Sequence, residues 1–145
     1  MQNQMILLVE DNPEDEALTL RALKKYRIGN EIIVVRDGAE ALDFLFCRNS
    51  FAARDPQTLP TLILLDVKLP KIDGLEVLRR IRAEIRTQSL PIVLLSSSNE
   101  RKDVVEGYTS GANSYVRKPI EFTQFIEAIQ QLGFYWLALN EAPPR

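Results

Sequence analysis

The sequence contains no histidine, and this absence excludes several classes of chemistry. Ser-His and Cys-His nucleophile pairs, zinc sites built on histidine and an internal phosphohistidine are all ruled out. Cys47 is the only cysteine, so the chain cannot form an intramolecular disulfide. If phosphate reaches this protein from a histidine, that histidine belongs to another molecule.

Long hydrophobic runs, an excess of basic charge and a glycine-rich phosphate loop are missing as well. The longest apolar stretches are far shorter than a membrane span, and the first residues lead into a predicted strand instead of a signal peptide. The formal net charge of −2 disfavours nucleic acid or an anionic membrane as a partner. The missing phosphate loop disfavours a nucleotide-binding protein. We therefore expect a cytoplasmic protein that binds neither nucleic acid nor a membrane.

What is present is the composition of an ordinary folded domain. The chain has 145 residues, of which 46% are hydrophobic and 26% are charged. Strand-like and helix-like patterns alternate along its length, which is typical of a parallel sheet with helices on both faces. We predict an α/β fold with a doubly wound five-stranded parallel sheet. The strands are expected near residues 5–9, 32–35, 62–65, 92–95 and 114–117.

The helix predicted after Gly74 shows two distinct faces. One face has four apolar residues that are expected to point inward: Leu75, Leu78, Ile81 and Ile85. Another face has three arginines at helical spacing: Arg79, Arg82 and Arg86. We interpret the arginine stripe as a solvated surface, with a binding patch as the less favoured alternative.

Four of the apolar runs end on residues that phosphoryl chemistry uses. The first ends at Glu10 and Asp11, the third at Asp66, the fourth at Ser96 and the last at Lys118. If the first and third strands lie side by side at the centre of the sheet, all of these residues meet at one edge. Doubly wound sheets bind their ligands at that edge. The pattern therefore predicts a functional site there.

The three acids at this edge predict a magnesium site. Glu10, Asp11 and Asp66 would repel one another if brought together, and a divalent cation would relieve the repulsion. Ligands that offer only oxygen atoms suit Mg²⁺. Three carboxylates, one Mg²⁺ and Lys118 carry no net formal charge, so the site can accept an incoming phosphoryl group.

Asp66 is the predicted nucleophile. Its carboxylate can attack phosphorus to give an acyl phosphate. Lys118 would balance the charge on one phosphoryl oxygen, and Ser96 would donate a hydrogen bond to another. Catalysis at such a site depends mainly on positioning and charge neutralisation.

The sequence resembles the receiver domains of two-component response regulators over most of its length, to about Leu132. This resemblance implies a flavodoxin-like strand order of 2-1-3-4-5. The motifs that carry it are Val9-Glu10-Asp11-Asn12, Leu64-Leu65-Asp66, Leu69-Pro70-Lys71-Ile72-Asp73-Gly74, Leu95-Ser96-Ser97, Gly111-Ala112-Asn113-Ser114-Tyr115 and Lys118-Pro119.

The resemblance implies roles for the acids of the site. Asp66 would accept phosphate from a sensor histidine kinase. Asp11 and Asp66 would bind Mg²⁺ together with the backbone carbonyl of Lys68, and Glu10 would act partly through water. The side chain of Lys68 would overhang the phosphorylation site, so we expect it to change the lifetime of the phosphorylated state, in a direction that the sequence does not give.

The resemblance also implies a switch. Ser96, Ser97 and Lys118 would bind the phosphoryl group. Ser96 would swing toward that group, and Tyr115 would turn inward behind it. The chain would thus act as a signalling switch and not as an enzyme with an external substrate.

The end of the chain predicts where the signal leaves. Residues 1–132 would form the receiver and 133–145 an apolar extension without a separate effector domain. Phe134, Tyr135 and Trp136 are expected to anchor a homodimer or bind a partner, and the alternative is that this tail folds back on its own core. The long loop before Pro60 and this tail resemble stand-alone receivers that are paired with bacterial phytochrome kinases. A histidine phosphotransfer protein is a further candidate partner.

Two other functions stay open at this point. A degenerate receiver would be a binding module that never carries phosphate, which the intact Asp11, Asp66, Ser96 and Lys118 disfavour. An Asp-nucleophile phosphatase would place its nucleophile after the first strand, with a second Asp two residues later. In this chain the nucleophile follows the third strand, and Lys68 occupies the second position.

Overall fold

The computed structural model describes residues 4–25, 31–98, 100–118 and 122–143. The five strands are β1 (Met5–Val9), β2 (Glu31–Val35), β3 (Leu62–Asp66), β4 (Ile92–Ser96) and β5 (Ser114–Arg117). The five α-helices are α1 (Pro13–Lys25), α2 (Gly38–Leu45), α3 (Gly74–Ala83), α4 (Arg101–Thr109) and α5 (Phe122–Phe134). All strand pairs are parallel, and the strand order is β2-β1-β3-β4-β5. This confirms the predicted flavodoxin-like α/β fold.

Alternate residues of the central strands enter two separate apolar layers. Leu7 and Leu65 belong to the layer that includes buried residues of α2 and α3. Leu8 and Leu64 belong to the opposite layer, which includes buried residues of α1 and α5. Because both faces of the sheet are covered, β1, β3 and β4 are buried along their whole length. Polar side chains reach solvent mainly where these strands end.

The first residues of α1 explain why this helix begins at Pro13. The side chain of Asn12 accepts hydrogen bonds from the amides of Glu14 (2.9 Å) and Asp15 (3.1 Å), which makes it the cap of this helix. Pro13 occupies the first helical position, where its missing N–H costs nothing. The first turn of α1 is therefore held firmly beside the carboxyl end of β1.

The expectation that Ile85 points inward is wrong. α3 ends at Ala83, two residues before Ile85, so the helical period no longer governs that position. Ile85 is 86% exposed. Thr87 is buried in its place, and its hydroxyl donates a 2.7 Å hydrogen bond to the carbonyl of Ile81.

The solvated surface expected for the arginine stripe is also wrong for two of its three members. Arg82 donates to the carbonyls of Gly111 (2.9 Å) and Leu90 (2.7 Å), among other acceptors. Arg86 donates to the backbone carbonyls of Pro56 and Leu45. These guanidinium groups bind carbonyls of several loops and of the last residue of α2, and so they hold those segments in place.

The tail after α5 divides into a packed side and an exposed side. α5 continues directly into a π-helix, Tyr135–Leu139. Trp136 and Leu137 pack against the layer formed with α1 and α5, whereas Phe134 is 58% exposed and Tyr135 is also exposed. Among the helices within the described ranges, none is long and apolar enough to cross a membrane.

Candidate functional site

The register of the sheet brings the predicted site residues to one edge. Asp66 and Ser96 are the last residues of β3 and β4, and Asp66 pairs with Leu95 on the neighbouring strand. Glu10 and Lys118 immediately follow β1 and β5. A cleft of about 450 Å³ opens above this edge. Its lining includes Asp11, Asp15, Asp66, Lys68, Ser96, Ser97 and Lys118.

Three acids form a cluster that fits a divalent metal ion. One carboxylate oxygen from each of Glu10, Asp11 and Asp66 lies within 4.8 Å of the others. Glu10 and Asp66 are buried, and Asp11 is exposed at the mouth of the cleft. This set offers only oxygen atoms, which are the ligands of a hard cation such as Mg²⁺, Mn²⁺ or Ca²⁺. The predicted acids are thus brought together as a site for such an ion.

Glu10 is the acid of the site whose pKa is shifted most strongly. Its side chain is fully buried, and burial together with the nearby Asp66 raises its pKa from 4.5 to about 8. Lys118 donates to Oε1 of Glu10 at 2.9 Å, which lowers the pKa of Glu10 but does not outweigh burial. Glu10 is therefore largely protonated at neutral pH as long as no cation joins the cluster.

Lys118 contacts three carboxylates at once. Its ammonium lies 2.9 Å from Oε1 of Glu10, 2.8 Å from Oδ2 of Asp15 and 3.2 Å from Oδ2 of Asp66. Burial lowers the pKa of Lys118, but the hydrogen bonds to Asp15 and Glu10 raise it above its ordinary value overall. Lys118 therefore stays charged and neutralises part of the acidic cluster. Pro119, the second residue of the Lys-Pro motif, lies outside the described residues.

Asp15 is the site residue that the sequence analysis missed. It lies in the first turn of α1, where an acid is readily explained by the positive end of the helix dipole. The available signal was its position as the third residue of α1, in the capped turn that closely follows the carboxyl end of β1.

Ser96 and Tyr115 are connected through one intervening residue. Ser96 is buried, and its Oγ accepts a 3.1 Å hydrogen bond from the amide of Ser98. The hydroxyl of Tyr115 donates to the carbonyl of Ser98 at 2.8 Å. The ring of Tyr115 packs against Gly107 of α4, where a Cβ atom would lie only 3.1 Å from it. The two predicted switch residues therefore share a short polar connection.

Lys68 and Ser97 line the cleft from its exposed rim. The amide of Lys68 donates a 3.2 Å hydrogen bond to Oδ1 of Asp66, which orients the carboxylate. Both side chains are exposed, so they border the space above Asp66 without filling it. In contrast, Phe134, Tyr135 and Trp136 do not belong to this cleft and lie at the end of α5.

Comparisons with known proteins agree with this fold. Residues 6–130 match the model of the response regulator receiver domain. Response regulator Rcp1 of Synechocystis is 35% identical over 140 residues, covering 97% of this chain and 93% of the relative. The crystal structure of the phosphorylated cyanobacterial phytochrome response regulator RcpA has a TM-score of 0.90 and 34% identity, covering 99% and 100% of the two chains. The bacteriophytochrome response regulator RtBRR is 52% identical with a TM-score of 0.79, covering 99% of this chain and 86% of its own.

The chain belongs to the response regulator receiver domain family. Its fold and sequence are homologous to stand-alone response regulators of two-component systems, a class of signalling switches that are phosphorylated by sensor kinases. Divalent metal binding at the acidic pocket is typical of this fold, and a related structure contains Mn²⁺. The resemblance inferred from the motifs is thereby confirmed.

Proposed function

We propose that this protein is a phosphoacceptor switch in which Asp66 takes a phosphoryl group from a phosphohistidine of a sensor kinase. The observation that supports this most strongly is the position of Asp66 at the base of the cleft. Its carboxylate belongs to the three-acid cluster and lies 3.2 Å from the ammonium of Lys118. A carboxylate so placed is oriented, partly neutralised and open to solvent on one side.

The transfer joins residues of the cleft to the phosphohistidine of the kinase. An oxygen of Asp66 forms the bond to phosphorus while the P–N bond to the kinase histidine breaks. The electron pair of that bond stays with the imidazole, which takes up a proton from water. Lys118 and the hydroxyl of Ser96 donate hydrogen bonds to the phosphoryl oxygens, with Ser97 at the rim.

The cation of this site is proposed to be Mg²⁺. Asp11, Asp66 and the backbone carbonyl of Lys68 would hold it, with Glu10 acting partly through water. When bound, Mg²⁺ supplies positive charge that offsets the carboxylates and the phosphoryl oxygens. Without a cation, the same carboxylates would repel an incoming phosphoryl group.

Incubation with Mg²⁺ and acetyl phosphate, followed by mass spectrometry, tests this function. The wild-type protein is expected to gain one phosphoryl group, and Asp66→Asn is expected to gain none. Asp55→Asn, in an exposed loop, is the matched control and should behave as wild type. No added mass in the wild type would favour a phosphate-independent binding module, and rapid multiple turnover of the donor would favour a phosphatase.

The proposed kinase partner is of the phytochrome type. This proposal is supported by the names of two similar structures, one a phytochrome and one a bacteriophytochrome response regulator. Phosphotransfer from an autophosphorylated bacterial phytochrome should be faster than from a sensor kinase with an unrelated input domain. Equal rates would remove this assignment, and a histidine phosphotransfer protein can be compared in the same assay.

We also propose that residues 1–132 act as the receiver and that 133–145 form an apolar extension through which the protein self-associates. Three large apolar residues at this end are exposed: Phe134, Tyr135 and Leu139. Trp136 is half-buried against the core, so its truncation would disturb the fold and the surface together. Light scattering at micromolar concentration should show a dimer that Phe134→Ser weakens and that Val105→Ser, on exposed α4, does not. A monomeric wild type would discard the proposal.

A further inference from the structure

The ammonium group of Lys118 has no spare hydrogen bond for a phosphoryl oxygen. An ammonium has three N–H donors, and three carboxylates surround this one at 2.8 to 3.2 Å: Glu10, Asp15 and Asp66. If Lys118 is to bind a phosphoryl group on Asp66, one of these contacts must lengthen or break. The identity of that contact decides how tightly the site holds the group.

Asp15 is the partner that can release Lys118 at the lowest cost. The Glu10 side chain is fully buried, so a broken contact would leave a polar group without a partner and without access to water. Asp66 itself carries the phosphoryl group in the proposed reaction and is only 9% exposed. The Asp15 side chain is 34% exposed, so water can replace the ammonium at its carboxylate.

The backbone of Asp15 is also held in place. Its amide donates to the side chain of Asn12, and it lies in the first turn of α1 next to the fixed φ of Pro13. The backbone that carries this carboxylate is therefore fixed beside Lys118. Asp15 adds a carboxylate to a site for which the sequence analysis counted three acids.

We propose that Asp15 is a positioning residue that competes with the incoming phosphoryl group for Lys118. This inference rests on the proposed phosphorylation of Asp66. In the resting protein Asp15 holds the ammonium toward α1. When a phosphoryl group arrives, Lys118 exchanges the Asp15 carboxylate for a phosphoryl oxygen, and Asp15 becomes solvated. The strength of the Asp15 contact thus limits how tightly the phosphoryl group is bound.

Beryllofluoride, a noncovalent mimic of the phosphoryl group, provides the test. It would be titrated into the full chain with saturating Mg²⁺, and the dissociation constant measured by calorimetry. Asp15→Asn is expected to bind it about tenfold more tightly, because a unit charge that competes for Lys118 is lost near a partly buried site and a neutral amide oxygen is a weaker acceptor. Asp15→Glu, which keeps the charge, should remain near wild type. Glu14→Gln removes an exposed charge from the same turn and should change nothing.

A second readout separates competition from a general change in structure. The affinity for Mg²⁺ alone should not increase in Asp15→Asn, because removing a negative charge cannot favour a cation. Tighter beryllofluoride binding without tighter Mg²⁺ binding therefore supports the proposal. Unchanged or weaker beryllofluoride binding in Asp15→Asn, or an equal gain in Glu14→Gln, would overturn it. If the wild type itself did not bind beryllofluoride, the proposed function would fail and this inference with it.

Discussion

The hydroxyl of Tyr115 donates a 2.8 Å hydrogen bond to the backbone carbonyl of Ser98. The amide of that same residue donates to Oγ of Ser96 at the edge of the phosphorylation cleft. A movement of Ser96 toward a phosphoryl group would break the second bond and so remove one of the contacts that hold Ser98. Ser98 therefore connects the proposed site to the side chain of Tyr115 on β5, the last strand of the sheet.

Tyr115→Phe is expected to lower the free energy of unfolding by about 1 kcal/mol, because the Ser98 carbonyl loses its side-chain partner while the ring contact with Gly107 remains. Urea denaturation measures the change. Tyr135→Phe removes a hydroxyl from an exposed residue and should cost less than about 0.5 kcal/mol. Similar losses in both variants would argue against the connection through Ser98.

The raised pKa of Glu10 predicts how the stability of the metal-free protein depends on pH. The folded protein keeps a proton on Glu10 that the unfolded chain releases above pH 4.5. Folding is therefore penalised increasingly between pH 4.5 and about 8, and the penalty is constant above that range. In EDTA, the stability of the wild type relative to Glu10→Gln should fall with pH, by less than about 1.4 kcal/mol per pH unit.

Addition of Mg²⁺ should reverse this trend, because a cation favours the ionised form of the cluster. Stabilisation by saturating Mg²⁺ is expected to grow as the pH rises toward about 8, with release of a proton on binding. Calorimetry in two buffers of different ionisation enthalpy would count that proton. A wild-type protein that shows the same pH profile as Glu10→Gln would contradict the assignment of the raised pKa.

Arg82→Ala should be among the most damaging substitutions outside the cleft. Arg82 holds three backbone carbonyls and the side chain of Asn113, and their loss should cost about 3 kcal/mol. Arg80 lies on the same helix but contacts only the exposed Glu76 among the interactions described for it, so Arg80→Ala should cost less than about 0.5 kcal/mol. Thermal or urea unfolding distinguishes the two, and equal effects would contradict this role for Arg82.

Lys68→Asn is expected to change the half-life of the phosphorylated protein, since Lys68 lines the space that water must cross to reach Asp66. The measurement is the decay of the phosphorylated form after removal of the donor. Lys71→Asn, which changes an exposed lysine of the same loop, should leave the half-life unchanged. If Lys68→Asn and wild type decay at the same rate, the side chain has no such effect.

The strand ends could be predicted from the sequence because a buried parallel strand is a continuous apolar run, and its end is marked by the first polar residue. Glu10, Asp66 and Ser96 are of this kind, whereas Lys118 follows the partly buried strand β5, which itself ends on Arg117. Asp15 could not be recognised in the same way, because its contact with Lys118 depends on the angle at which α1 leaves the sheet.

The interactions of α3 show a second limit of prediction from the sequence. Nothing in the helical spacing of Arg82 indicates which carbonyls lie within its reach, because those carbonyls belong to two separate segments outside the helix. Ile85 has the residue type and spacing of a core position, but the helix ends before it. Periodicity predicts burial only as far as the helix itself continues.

The most direct test of the central claim is to locate the modified residue. Borohydride reduces an acyl phosphate to an alcohol, so an aspartyl phosphate becomes homoserine. The protein would be treated with Mg²⁺ and acetyl phosphate, reduced, digested and sequenced by mass spectrometry. The account predicts homoserine at position 66 and at no other aspartate. Homoserine at Asp11 or Asp15, or an unmodified Asp66 in a protein that has gained phosphate, would contradict it.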